Sequence, residues 1–169
     1  MTRAITEATV PIRRVTITTD AAFDDVVAAV YAGLGRAPDF GEFVQQCQAT
    51  RDAGELDSVV DAVSGSSGLI EFLSLDLGGV LAIRDPARSR RLLRIIAGNP
   101  VTMSTMAATA PDVGSYAPVT ILIAEGDGGT TLSYDRVVSA IAPYGSDEAT
   151  AVARSLDDAV VALLTDAAG

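Results

Sequence analysis

Two stretches in the C-terminal half constrain the fold more than anything else in the chain. In Val119–Glu125 and Thr130–Asp135, apolar residues alternate with polar or small ones on either side of Gly126-Asp127-Gly128-Gly129. A period of two puts successive side chains on opposite faces of a pleated ribbon. The spacing therefore predicts a β-hairpin with Ile121, Ile123, Leu132 and Tyr134 on its core face. Beyond Pro143-Tyr144-Gly145 the period changes. Ala149, Val152, Ala153, Leu156, Val160, Leu163 and Leu164 recur at helical spacing, and Ser146 stands where an N-cap belongs. A one-faced hairpin followed by a one-striped helix is the material of an α+β domain, in which each buries the other's apolar surface.

The N-terminal half continues this alternation of types. Arg13–Thr18 reads as a strand with Val15 and Ile17 on one side, and Asp20 as the N-cap of a helix that carries Phe23, Val26, Val27, Val30, Tyr31 and Leu34. Asp24 and Asp25 fall in that helix's first turn, where its dipole favours negative charge. Residues 37–66 read as an inserted pair of helices laid over the sheet. One, near Glu42–Thr50, carries Phe43, Val44 and Cys47; the other, near Glu55–Val63, carries Leu56, Val59, Val60 and Val63. Leu69–Leu77 and Val80–Arg84 flank Gly78-Gly79 and are expected to pair as a second hairpin. In that register Phe72, Ser74, Asp76, Leu81 and Ile83 share a mixed face. Asn99-Pro100 marks the start of a short helix with Met103, Met106 and Ala107. Residues 86–97 fit either a helix begun at Asp85-Pro86 or a strand over Arg91–Ala97. At 169 residues the whole chain, 1–169, is expected to be one domain.

Composition removes many chemistries. The net charge is −10, all twelve basic residues are arginine, and histidine and lysine do not occur. Such a surface repels phosphate backbones and anionic lipid, so neither nucleic acid nor membrane is an expected partner. Without histidine there is no imidazole base and no Ser-His-Asp or Cys-His pair. Without lysine there is no Schiff base and no phosphate-loop lysine. Cys47 is the only cysteine, which excludes an intrachain disulfide and structural zinc, and its place on an apolar helix face predicts a buried, inert thiol. No acidic spacing matches a calcium loop, so neither metal nor cofactor is expected. Met1–Thr9 holds no hydrophobic block and no apolar run reaches bilayer length, giving a cytoplasmic expectation.

Gly98-Asn99-Pro100-Val101-Thr102-Met103, then Met106, then Tyr116-Ala117-Pro118, then the hairpin ending Tyr134-Asp135 and the terminal helix, occur in a telling order. Over roughly residues 66–165 the chain resembles the bacterial domain of unknown function 302 family. The resemblance implies an α+β fold with an antiparallel sheet covered on one face by helices, in a TATA-binding-protein-like arrangement; with the strands read above, about six are expected, and the helical pair stands as an insertion after the first helix. It also favours the strand over Arg91–Ala97. Two positions depart from the family pattern. Arg136-Val137-Val138 replaces a proline after the Tyr-Asp pair, and Pro118-Val119 replaces a Pro-Cys pair, so no thiol role carries over.

Three functional readings follow. The first is binding of a small, largely apolar molecule in a cavity between the sheet and the C-terminal helix. Phe72, Met103, Met106, Tyr116 and Arg84 are its candidate contacts, with the helical pair as a lid. The second is a cofactor-free isomerase or cyclase using Asp135, Tyr134 and Asp76, because a carboxylate in an apolar cavity can work without histidine. Tyr134 and Asp135 are strand neighbours, so they face opposite ways unless a bulge intervenes. The third is a self-associating module without ligand. A homodimer is expected in any case, because Leu122, Ala124 and Thr131 leave the outer sheet face poorly charged. Arg84, Arg88, Arg90, Arg91 and Arg94 form the one basic concentration, read either as an anion grip or as partners for the many acids.

Overall fold

The computed structural model describes residues 3–169. Its strands are β1 (Arg14–Thr19), β2 (Gly35–Arg36), β3 (Ile70–Asp76), β4 (Leu92–Gly98), β5 (Val119–Gly126) and β6 (Gly129–Asp135). They form one sheet in the order β1-β6-β5-β4-β3-β2. Neighbours are antiparallel except the two-residue edge strand β2, which runs parallel to β3, so the sheet is mixed but mostly antiparallel. The helices are α1 (Phe23–Gly33), α2 (Phe40–Ala49), α3 (Ala53–Asp61), α4 (Leu77–Arg84), α5 (Pro100–Thr109), the short α6 (Val138–Ile141) and α7 (Asp147–Ala168). This is the α+β architecture expected from the sequence. No helix of the described residues is long and apolar enough to cross a membrane.

The hairpin and the terminal helix form as their periodicities require. Tyr134 pairs with Val15 and Ile121, and Leu132 with Ile17 and Ile123, which sets one apolar row per register step. Ile121, Ile123, Leu132 and Tyr134 are buried, as are Ala149, Ala153, Leu156, Val160, Leu163 and Leu164 of α7. Each large aliphatic side chain taken wholly out of water contributes about 1.5–3 kcal/mol. Ser146 caps α7 by accepting the Ala149 N–H at 3.1 Å, and Asp147 and Glu148 sit in its first turn. Val26 and Val30 of α1 and Met106 of α5 complete this core. The space between the sheet and α7, where the sequence reading placed a ligand cavity, is occupied by these side chains.

A second, smaller core holds Ala37, Phe43, Val60 and Ile70 where α2 and α3 close over the β2–β3 end of the sheet. Both helices start with an aspartate cap: Asp39 accepts from Glu42 N–H and Asp52 from Glu55 N–H, each at 2.9 Å. By contrast α1 has no side-chain cap. Ala22 occupies the position, and Asp20, expected to cap it, does not.

The largest correction concerns residues 69–84. No hairpin forms across Gly78-Gly79. β3 pairs instead with β4, and the chain after Asp76 turns directly into α4. Asp76 Oδ1 accepts the Gly79 N–H at 2.8 Å, so it ends a strand and caps a helix at once. Gly78 serves close packing rather than a turn. A Cβ there would lie 2.6 Å from the Arg90 carbonyl oxygen and 2.7 Å from Leu92 N. Residues Leu92–Gly98 form a strand, which resolves the ambiguity over residues 86–97.

Candidate functional site

A bulge in β3 begins the site. The register with β4 shifts between Glu71 and Leu73, and Phe72 turns toward the far ends of β4 and β5. Gly98 makes room for it: a Cβ there would stand 3.2 Å from the Phe72 ring and 3.3 Å from Pro118. α2 approaches from the other side, where the Phe40 ring lies 4.9 Å from Phe72 and 6.1 Å from Phe43, both tilted. Such tilted pairs match the aromatic quadrupoles better than face-to-face stacking does. Met103 of α5 closes the floor, held by the Asn99 cap, whose Oδ1 accepts from Val101 and Thr102 N–H at 2.9 and 3.2 Å. The result is an almost wholly apolar cleft of about 210 Å³. Phe40 stands at its rim 40% exposed. Cys47 also lines it, and burial pushes its thiol pKa up, away from the reactive thiolate.

Phe72 and Met103 are thus brought together, under α2 of the helical pair. The other expected contacts lie elsewhere. Met106 is fully buried in the main core. Arg84 is exposed in the last turn of α4. Tyr116 borders the neighbouring groove instead, its hydroxyl 3.3 Å from that of Tyr144.

Beside the cleft the open sheet face forms a broader groove of about 630 Å³, bordered by Pro118, Thr120, Leu122, Ser133 and three arginines, Arg14, Arg94 and Arg136. Asp135 lies here too. Arg14 Nε and Nη2 donate to its two oxygens at 2.6 and 2.8 Å, and this pairing holds the Asp135 carboxyl below its ordinary pKa. Arg136 reaches Asp158 at 3.4 Å, and Arg94 donates to Thr120 Oγ1 at 3.4 Å. Elsewhere Arg91 pairs with Asp24 and sits 4.4 Å over the Phe23 ring, and Arg88 meets Asp85 at 3.5 Å.

The expected acid–base trio does not assemble. Tyr134 faces the core and Asp135 the open face, as their adjacency requires. Asp76 is on the helix-covered side, three strands from Asp135 and three residues along the register, roughly 17 Å away at ordinary strand spacings.

Two carboxylates that the sequence reading passed over are the buried ones. Asp157 of α7 is fully buried and accepts from Tyr134 OH at 2.7 Å, Val137 N–H at 2.8 Å and Val138 N–H at 3.2 Å. Its signal was an acid next to Leu156 within the α7 stripe, four residues from Ala153. Glu71, its side chain 5% exposed, accepts from Ser74 Oγ at 2.6 Å, and Ser74 in turn bonds the Tyr31 hydroxyl at 2.6 Å. Its Oε2 lies 3.1 Å from Arg36 Nε, an ion pair without hydrogen-bond alignment. Among the described residues no acidic or thiol side chains cluster as a metal site would.

The family model for the domain of unknown function DUF302 matches residues 45–163. A comparison with curated proteins finds no match. Among solved structures, the crystal structure of an uncharacterized conserved DUF302 protein from Bacillus stearothermophilus superposes with a TM-score of 0.62. The alignment covers 90% of this chain and 96% of that one at 10% identity, a likeness of fold.

Proposed function

The chain belongs to the DUF302 family, and within this fold we propose that the cleft between α2, the β3 bulge and α5 binds a small, largely apolar molecule. The observation that carries the reading is the convergence of Phe40, Phe43, Phe72 and Met103, from three separate elements, on a cleft with almost no polar lining. Apolar surface left facing water is unfavourable by about 25 cal/mol per Å², so an occupant that covers it is stabilised. Convergent aromatic side chains around a mostly apolar concavity are also the usual composition of a small-molecule site. Methionine adds a side chain that adapts to the occupant's shape.

Calorimetric titration with 1-octanol, a neutral apolar probe, tests this. Saturable binding is expected, weakened at least fivefold by Phe40→Ala at the rim and unchanged by Val80→Ser on distant α4. Absence of binding, or an F40A variant that binds as well as the parent, would remove the reading.

Self-association is a second reading, favoured by α4. Val80, Leu81 and Ile83 are exposed there, Ile83 by 84%, and Leu73 on the adjoining strand is also uncovered. Exposed apolar side chains concentrated on neighbouring elements suit a subunit contact. Light scattering is expected to give twice 17.3 kDa, reverting to one chain's mass on Ile83→Glu. A single-chain mass for the parent protein would exclude it.

A further inference from the structure

We infer that the ligand of the apolar cleft carries a carboxylate, seated on Arg94 in the groove beside it, so that the site takes an amphiphilic monoanion rather than a neutral hydrocarbon. This rests on the cleft reading and adds the chemical class of the occupant. Pro118 borders both the cleft and the groove, so the two adjoin at this residue. Thr120 lies two residues further along the chain on the same face as Pro118, about 7 Å away. Arg94 reaches diagonally to it from β4, Nη2 to Oγ1 at 3.4 Å, and among the described residues it has no carboxylate partner. Three guanidiniums and a single carboxylate, Asp135, border the groove, on a chain whose net charge is −10. Arg14 and Arg136 are paired with Asp135 and Asp158, so Arg94 is, among the described residues, the uncompensated positive charge of the groove, and a local cation on an otherwise acidic surface orients an anionic ligand. Asp135 is already taken through both its oxygens by Arg14 Nε and Nη2, which leaves the Arg94 fork open to a planar, two-oxygen acceptor. The Arg94 fork ends at Thr120, about 7 Å beyond Pro118 at ordinary strand spacing, and an eight-carbon chain is the probe length chosen to cover that span.

The test compares octanoate with 1-octanol by calorimetric titration of the parent protein and of Arg94→Gln, an exposed position whose replacement leaves the packing intact. Octanoate is expected to bind the parent at least tenfold tighter than octanol. R94Q should erase that advantage and leave octanol unchanged. Equal binding of the two probes, or an R94Q variant indistinguishable with octanoate, overturns the carboxylate inference and leaves the cleft reading standing. Failure of both probes to bind overturns the cleft reading and this one together. A dimer that Arg94→Glu dissociates and octanoate does not perturb assigns the face to a second copy of the chain, and overturns the inference as well.

Discussion

The Tyr134 hydroxyl donates to Asp157 Oδ1 at 2.7 Å inside the core, tying β6 to α7 through a carboxylate that also holds two backbone N–H groups at the start of α6. Removing Asp157 would strand two buried donors, the Tyr134 hydroxyl and Val137 N–H, at about 1–3 kcal/mol each, and a part-buried third, Val138 N–H. Asp157→Ala is therefore expected to destabilise the protein by about 3–5 kcal/mol in denaturant unfolding, in the range found for breaking buried charged networks. Tyr134→Phe loses a single bond and should cost far less. Equal losses would place the stability in the ring packing instead.

The same contact predicts an alkaline limit. Burial first, then the neighbouring Asp157, push the Tyr134 phenol far above the ordinary tyrosine value of 10.0. A group with a raised folded pKa contributes its full stability below its unfolded value. Above pH 10.0 the unfolded chain loses the proton that the folded protein keeps, and stability falls by about 1.4 kcal/mol per pH unit. Unfolding free energies measured between neutral and alkaline pH should show this fall in the parent and a shallower one in Tyr134→Phe.

Gly78 is set against the backbone of Arg90 and Leu92, so Gly78→Ala should cost about 1–3 kcal/mol by overpacking. A Cβ at Gly114 would meet nothing within 4 Å, and Gly114→Ala should leave the denaturation midpoint nearly unchanged. If both substitutions were neutral, the close approach of α4 to the strand that follows it would be wrong.

How these features were written in the sequence differs from case to case. The β5–β6 hairpin and α7 were legible because one face is buried and the other is not, so their periods stand out. Gly78-Gly79 misled because glycine permits a tight turn and a close backbone approach alike, and only the tertiary partner at Arg90 and Leu92 decides between them. Apolar Val80, Leu81 and Ile83 deepened the error, since they are exposed on a helix rather than buried in a strand. Phe72 and Met103 line one cleft with residues of α2, whereas Met106, Tyr116 and Arg84 do not. The bulge that turns Phe72 is a register shift, and a single strand carries no mark of one. Asp157 and Glu71 were missed because a carboxylate inside an apolar stripe signals burial only when its donors, distant in sequence, are known.

Asp135 should matter little. Its carboxyl is held below the ordinary value by Arg14, so whatever it contributes is present above that value and lost as pH falls through the lowered one. The side chain is 46% exposed, and an ion pair so solvated is worth at most about 1 kcal/mol. Asp135→Asn is expected to change unfolding free energy by less than that and to leave octanol affinity unaltered. A loss of octanol binding in this variant would tie the groove to the cleft in a way that Arg94 alone does not explain.

The central claim, that the cleft under α2 is a binding site, meets its most direct test at Phe40. The chain contains no tryptophan, so Phe40→Trp places a single emitter at the rim of the cleft. Titration with 1-octanol should shift its emission to shorter wavelength along a saturable curve, with the dissociation constant that calorimetry gives. An emission spectrum that stays fixed while octanol is raised to its solubility limit would contradict the account.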